Sequence, residues 1–139
     1  MVKGSYFPRI DHTIAAPLEF MNAGTALAWY KNILGAEEQM RFQRPDKKVI
    51  YAEMSIGDSM FYLDKVDTAV SGIPGRLHVF VEDVDKTLKK ALRHGATLVK
   101  PAQDQLYGER CAWINDPFGY KWVLATRNRQ IFERRRNVA

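Results

Sequence analysis

Residues 22–36 (NAGTALAWYKNILGA) and 83–96 (DVDKTLKKALRHGA) follow one plan: a polar residue able to cap a helix, a helical stretch, then Gly-Ala and a strand. Two copies of one plan in a short chain describe a tandem of similar half-domains. In the first copy the Asn22 side-chain oxygen can cap the helix, Leu27, Tyr30 and Leu34 share one face at helical spacing, and Gly35 supplies the left-handed residue that ends it. In the second, Asp83 caps, Val84, Leu88, Ala91 and Leu92 form the buried face, and Gly95 closes the helix.

Working outward, strands are expected near 13–21, at 37–43, at 49–56 after the Pro45-Asp46 turn, and at 60–63 after Gly57-Asp58. Residues 71–75 (SGIPG) read as a linker. The order then repeats with a strand at 77–81, the helix at 84–93, strands at 97–100 and 110–114, the Asp116-Pro117-Phe118-Gly119 turn, and a last strand at 120–126. Neither half can bury both faces of its sheet alone. The expected fold is therefore α+β: two tandem β-α-β-β-β modules, 13–66 and 76–127, in one domain, with helices outside, a curved mixed sheet around a shared groove, and a basic tail at 128–139.

At 139 residues and 46% hydrophobic content the chain suits one compact domain. Its single cysteine, Cys111, excludes an intramolecular disulfide and a CxxC pair, and sets a reducing cytoplasm as the expected compartment. No segment approaches the roughly 20 apolar residues of a membrane span, and MVKGSYFPRIDH lacks the apolar run of a signal peptide, so a soluble, unexported protein is expected. The net charge of +5 is concentrated in Arg127, Arg129, Arg134, Arg135 and Arg136. The remainder is nearly neutral, and a solvated basic end, rather than a nucleic-acid arm, is the expectation.

Five stretches in series carry a family resemblance: AWYKNILGAEE from Ala28, YAEMSIGDS from Tyr51, VEDVD from Val81, QLYGER from Gln105 and DPFGYKW from Asp116. With them the chain resembles the vicinal oxygen chelate superfamily (glyoxalase, bleomycin-resistance protein, extradiol dioxygenase), and within it the PhnB-like branch. The resemblance implies a glyoxalase-like fold, paired chains as a homodimer and, where chemistry is present, two to four His, Glu or Gln ligands holding a divalent metal with room for two substrate oxygens. Carried onto this sequence, the ligand positions fall on Ala15, Phe61, Arg76 and Val123. None of the four is a donor for such an ion. A slip of two residues keeps the face and gives Pro17 and His78, of which only His78 is a donor. No metal and no other cofactor is expected.

His78 shares its strand face with Arg76 and Phe80, opposite Leu77, Val79 and Val81, and is read as a ligand contact or general base, or as a histidine hydrogen-bonded for structure. Tyr51 and Glu53 stand in a Tyr-Ala-Glu stretch where the PhnB-like branch resembles His-Ala-Glu, which removes the group most able to move protons; Glu53 remains an acceptor or a solvated strand carboxylate. Arg110, after Gly108, could clamp a carboxylate or phosphate, or bridge to Asp104 or Asp116. Trp113 could stack on a planar ligand, Trp122 should face the helix as core, and Cys111 reads as an inert small residue.

The expected function is binding of a small anionic or aromatic molecule without a catalytic metal. Tyr51, Phe61, Phe80 and Trp113 would line the groove, and Glu53, Arg76, His78 and Arg110 would orient the ligand. The competing class is a metal-dependent lyase, isomerase or dioxygenase, which needs His78 joined by Glu19, Glu53 or Glu109. A nucleic-acid role for the Arg-rich tail ranks last.

Overall fold

The computed structural model describes residues 15–67 and 76–128, which fall in two compact units, Met1–Ser71 and Gly72–Ala139. The expected linker, the tail, His12 and the first residues of the first strand lie outside the described residues. In the first unit, module one, the order is β1 (Ala16–Phe20), α1 (Ala23–Leu34), β2 (Glu37–Gln43), β3 (Val49–Ile56) and β4 (Ser59–Lys65). Module two repeats it as β5 (Leu77–Phe80), α2 (Val84–Arg93), β6 (Thr97–Asp104), β7 (Glu109–Asn115) and β8 (Lys121–Arg127).

Each module forms one mixed four-stranded sheet of the same topology, β1-β4-β3-β2 and β5-β8-β7-β6. The first strand of each pairs parallel with the last, and the other pairings are antiparallel. The crossover that a parallel pair requires is supplied by the helix and the two strands after it.

Both helix starts are capped as their sequences dictate. The Asn22 side chain accepts from Thr25 N at 3.0 Å and that of Asp83 from Lys86 N at 3.2 Å. Gly35, at φ 68°, ends α1 in the left-handed region that glycine enters without strain. In α2, Asp85 in the first turn and Lys90 and Arg93 in the last complement the helix dipole.

Each helix covers one face of its own sheet. Tyr30 of α1 is wholly buried and meets Phe20 and Phe61 edge-on, with ring centroids 5.9 and 5.6 Å away. Beneath α2, Val84, Ala91, Ile114, Trp122 and Leu124 are buried. The Asp116 carboxylate is the hub of the Asp-Pro-Phe-Gly turn: it accepts from Phe118 N, Tyr120 N and Trp122 Nε1, each at 2.9 Å, which seats Trp122 in the core as expected.

The strands outrun their expected lengths where turn residues lead into pairing. β4 begins at Ser59 and runs to Lys65, and β6 continues through Pro101 to Asp104. Pro101 is tolerated because β6 is an edge strand and its register shifts between Lys100 and Gln103, where the missing N–H leaves no ladder bond unmade.

Candidate functional site

Strand register fixes which side chains share the sheet face left uncovered by the helix. In module two, His78 pairs with Val123 and Val123 with Trp113; Phe80 pairs with Ala125 and Ala125 with Cys111; Glu109 pairs with Arg127. These residues alternate with Leu77, Val79, Ala112, Ile114, Trp122 and Leu124, the set toward α2. Cys111, Val123 and Ala125 form a buried apolar patch on the helix-free face, with Trp113 packed against it.

Around that patch the polar groups converge on Glu109, a carboxylate only 6% exposed. Its Oε1 lies 3.2 Å from His78 Nε2 and accepts from Cys111 Sγ at 3.6 Å, while its Oε2 accepts from Arg127 at 3.0 Å. A buried carboxylate persists only with such partners. Phe80, half exposed, joins the group from the side: its ring lies 5.1 Å from the His78 ring and 4.7 Å from the Arg127 guanidinium. Lys100 Nζ lies 5.2 Å from the Trp113 ring centre. Burial pushes the Cys111 thiol above its ordinary pKa; a contact from the Tyr107 hydroxyl at 3.9 Å works the other way, and the nearby Glu109 charge adds to the rise.

Module one presents a face of opposite character. Glu19 pairs with Asp64 two positions along from Pro17 with Tyr62, on the same face, and β3 contributes Tyr51 opposite Asp64 and Glu53 opposite Tyr62. The Tyr51 hydroxyl donates to Glu53 Oε2 at 2.8 Å, and the Tyr51 ring lies 5.7 Å from Tyr62 and 6.3 Å from Phe42. Burial first, and the bond to the Glu53 carboxylate second, raise the Tyr51 phenol above its ordinary value. Among the described residues this face carries carboxylates and aromatic rings and no Lys or Arg.

Two of the expected binding residues stand elsewhere. Phe61 faces α1, buried against Tyr30, and its anticipated place on the helix-free face belongs to Tyr62. Counting four residues from the turn glycine gives Phe61 in module one and Val123 in module two, but Phe61 pairs with Ala16 toward the helix, whereas Val123 pairs with His78 on the other face. The turn at Gly57 is one residue longer before the equivalent strand position, and one residue inverts a strand's faces. Arg110 also lies on the helix side. It clamps Asp85 of α2 with two bonds of 2.9 and 3.1 Å and adds Asp104 at 3.1 Å, while Asp116 is engaged in its turn. The Asp85 carboxylate, and then that of Asp104, hold the Arg110 guanidinium above its ordinary pKa, so its charge is committed to structure.

Of the other expected residues, His78 and Phe80 meet directly in module two, and Arg76 and Trp113 line one shallow cavity of about 270 Å³ with Asn115 and Lys121. Tyr51 and Glu53 are bonded to each other in module one. Sequence reasoning missed Arg127, grouped with the basic end, as a member of this face, and held Glu109 only as part of the competing class. The available signal was parity: both sit on the His78 face at the strand ends.

The positions at which the family's metal ligands are expected do not fit an ion. On the helix-free faces, the strands concerned place Pro17, Tyr62, His78 and Val123 there, and three of these lack an imidazole, carboxylate or thiolate.

Two β-α-β-β-β modules, each a mixed four-stranded sheet with one helix, define a glyoxalase-like fold. The chain belongs to the Glyoxalase/Bleomycin resistance protein/Dioxygenase superfamily, whose description matches residues 9–124. It is similar to an uncharacterized protein of Mycobacterium bovis, 32% identical over 133 residues, with 88% of each chain covered. Among solved structures it resembles TioX from Micromonospora sp. ML1 (22% identity, TM-score 0.66, covering 83% of this chain and 95% of that one). It also resembles a PhnB protein from Bacillus cereus (19% identity, TM-score 0.68, covering 83% and 99%). At these identities the structural likeness speaks for the fold alone.

Proposed function

We propose that the protein binds a small anionic molecule with an aromatic or apolar body on the helix-free face of module two, without a catalytic metal. The observation that carries this reading is the Arg127 guanidinium, anchored on buried Glu109 and lying 4.7 Å from the half-exposed Phe80 ring. An anchored cation beside an open aromatic ring meets a carboxylate or phosphonate and the flat group attached to it. His78, at 3.2 Å from Glu109, adds a donor beside them, and Arg76 and Lys100 add positive charge along the same sheet.

Membership of the PhnB-like branch is part of this proposal, supported by the resemblance to the Bacillus cereus protein. A homodimer in the cytoplasm completes it, supported by the habit of the superfamily and by a lone buried cysteine suited to a reducing compartment. The test is chemical-shift mapping of the chelator-treated protein with phenylphosphonate. Shifts concentrated at His78, Phe80 and Arg127 are expected; shifts confined to module one would overturn the reading.

A further inference from the structure

Three donors of different chemistry converge on one point of the module-two sheet. His78 Nε2 and Cys111 Sγ approach the same oxygen, Glu109 Oε1, at 3.2 and 3.6 Å, and the three donor atoms all lie within 4.8 Å of one another. The sheet makes this possible across an intervening strand. Ala125 of β8 sits between Phe80 and Cys111 in register, and its methyl leaves the space above it to the longer side chains of β5 and β7.

Ligands about 2.0–2.3 Å from a tetrahedral zinc ion stand roughly 3.3–3.8 Å from one another, close to the two distances to Glu109 Oε1, with His78 Nε2 and Cys111 Sγ within 4.8 Å of each other. The Cys111 hydrogen bond and the close His78 approach at one carboxylate oxygen could both give way to one cation. We propose that module two binds a thiophilic divalent cation such as Zn²⁺ between His78 Nε2, Glu109 Oε1 and Cys111 Sγ, leaving a fourth position for water or an anionic ligand. On binding, the thiol proton passes to solvent and the imidazole keeps its proton on Nδ1. The thiolate and carboxylate together balance the two positive charges. Arg127, at 3.0 Å from Glu109 Oε2, stays as the outer partner that orients the carboxylate.

Glu109 and Cys111 stand on β7, where the family resemblance assigns no ligand, so this donor set differs from the one the resemblance implies. It shares His78 with the anion reading, but that reading is measured on chelator-treated protein, so the two can fail separately.

The test uses the full chain, stripped with chelator and titrated with Co²⁺ alone. One equivalent should bind, with the intense visible bands of tetrahedral cobalt and a near-ultraviolet thiolate-to-cobalt band, both displaced by Zn²⁺. Cys111→Ala should remove the near-ultraviolet band, and His78→Ala should weaken binding by about tenfold or more. His94→Ala should change nothing, because His94 is engaged with the Lys90 carbonyl at 2.8 Å on α2. Cobalt bound without the near-ultraviolet band, or His78→Ala binding cobalt as tightly as the unchanged chain, would overturn the proposal, as would absence of binding at micromolar metal. Cys111 is buried, so its variant is checked by circular dichroism; His78→Ala, at a half-exposed side chain, carries the test if that variant does not fold.

Discussion

The helix-free face of module one gathers Glu19, Glu53 and Asp64 around Tyr51, Tyr62 and Phe42, while that of module two gathers Arg127, Lys100 and His78 around Phe80 and Trp113, with Glu109 as its one buried carboxylate. Both faces stand on the same strand order and the same helix. Topology thus decides which sheet face the helix leaves open, and the outward half of each strand's alternation decides its charge. A duplicated scaffold is free to give its two copies opposite ligands.

The largest expected effect tests the face assignment itself. Phe61→Ala should cost about 3–5 kcal/mol in urea unfolding, because it opens a cavity under α1 beside Tyr30, whereas Tyr62→Ala on the other face should cost about 1 kcal/mol. Equal costs would return Phe61 to the open face. Next, Glu109→Ala in module two should destabilise by about 2–4 kcal/mol, since it strips the partner from Arg127 and His78 together. Its counterpart Glu53→Ala removes the acceptor for the Tyr51 hydroxyl and should cost roughly 1–2 kcal/mol. A larger loss at Glu53 would reverse the contrast between the modules.

The pH response should separate the modules as well. The folded pKa of Tyr51 is raised above its ordinary 10.0, so its contribution is fully present below that pH and is lost as pH rises through the window above it. Asp85 is the opposite case: Arg110 lowers its pKa from 3.8, so its contribution is present above that value and is lost as pH falls below it. Unfolding midpoints followed against pH should lose their alkaline limb in Tyr51→Phe and keep it in Asp85→Asn. The smallest effect is Arg110→Ala, which should leave the urea midpoint almost unchanged, because the ion pairs it forms are solvent-exposed. A large loss there would make the clamp on α2 a keystone of module two.

Much of the fold was legible in the sequence. The ranges of β2, β3 and α2 follow directly from alternation, helical spacing and the Asp83 cap, since local chemistry sets them. The site was less legible because it depends on pairing register. Phe61 and Tyr62 differ by one position, and only the ladder with β1 and β3 says which of them faces the helix. Arg110 carried the sequence signature of an anion clamp, yet Asp85, distant in the chain, is brought within reach by α2 and takes its charge. Arg127 lay hidden in a run of arginines until its pairing with Glu109 set it apart.

The central claim, that charge is divided between the two faces and that the cationic one is the binding face, is tested most directly by calorimetry on the chelator-treated protein with a matched pair of ligands, phenylacetate and phenethylammonium. The anion should bind about tenfold or more tightly than the cation, and Arg127→Ala should remove about one order of magnitude of that affinity while Tyr62→Ala leaves it within about twofold. Preference for the ammonium ligand, or anion binding indifferent to Arg127, would contradict the account.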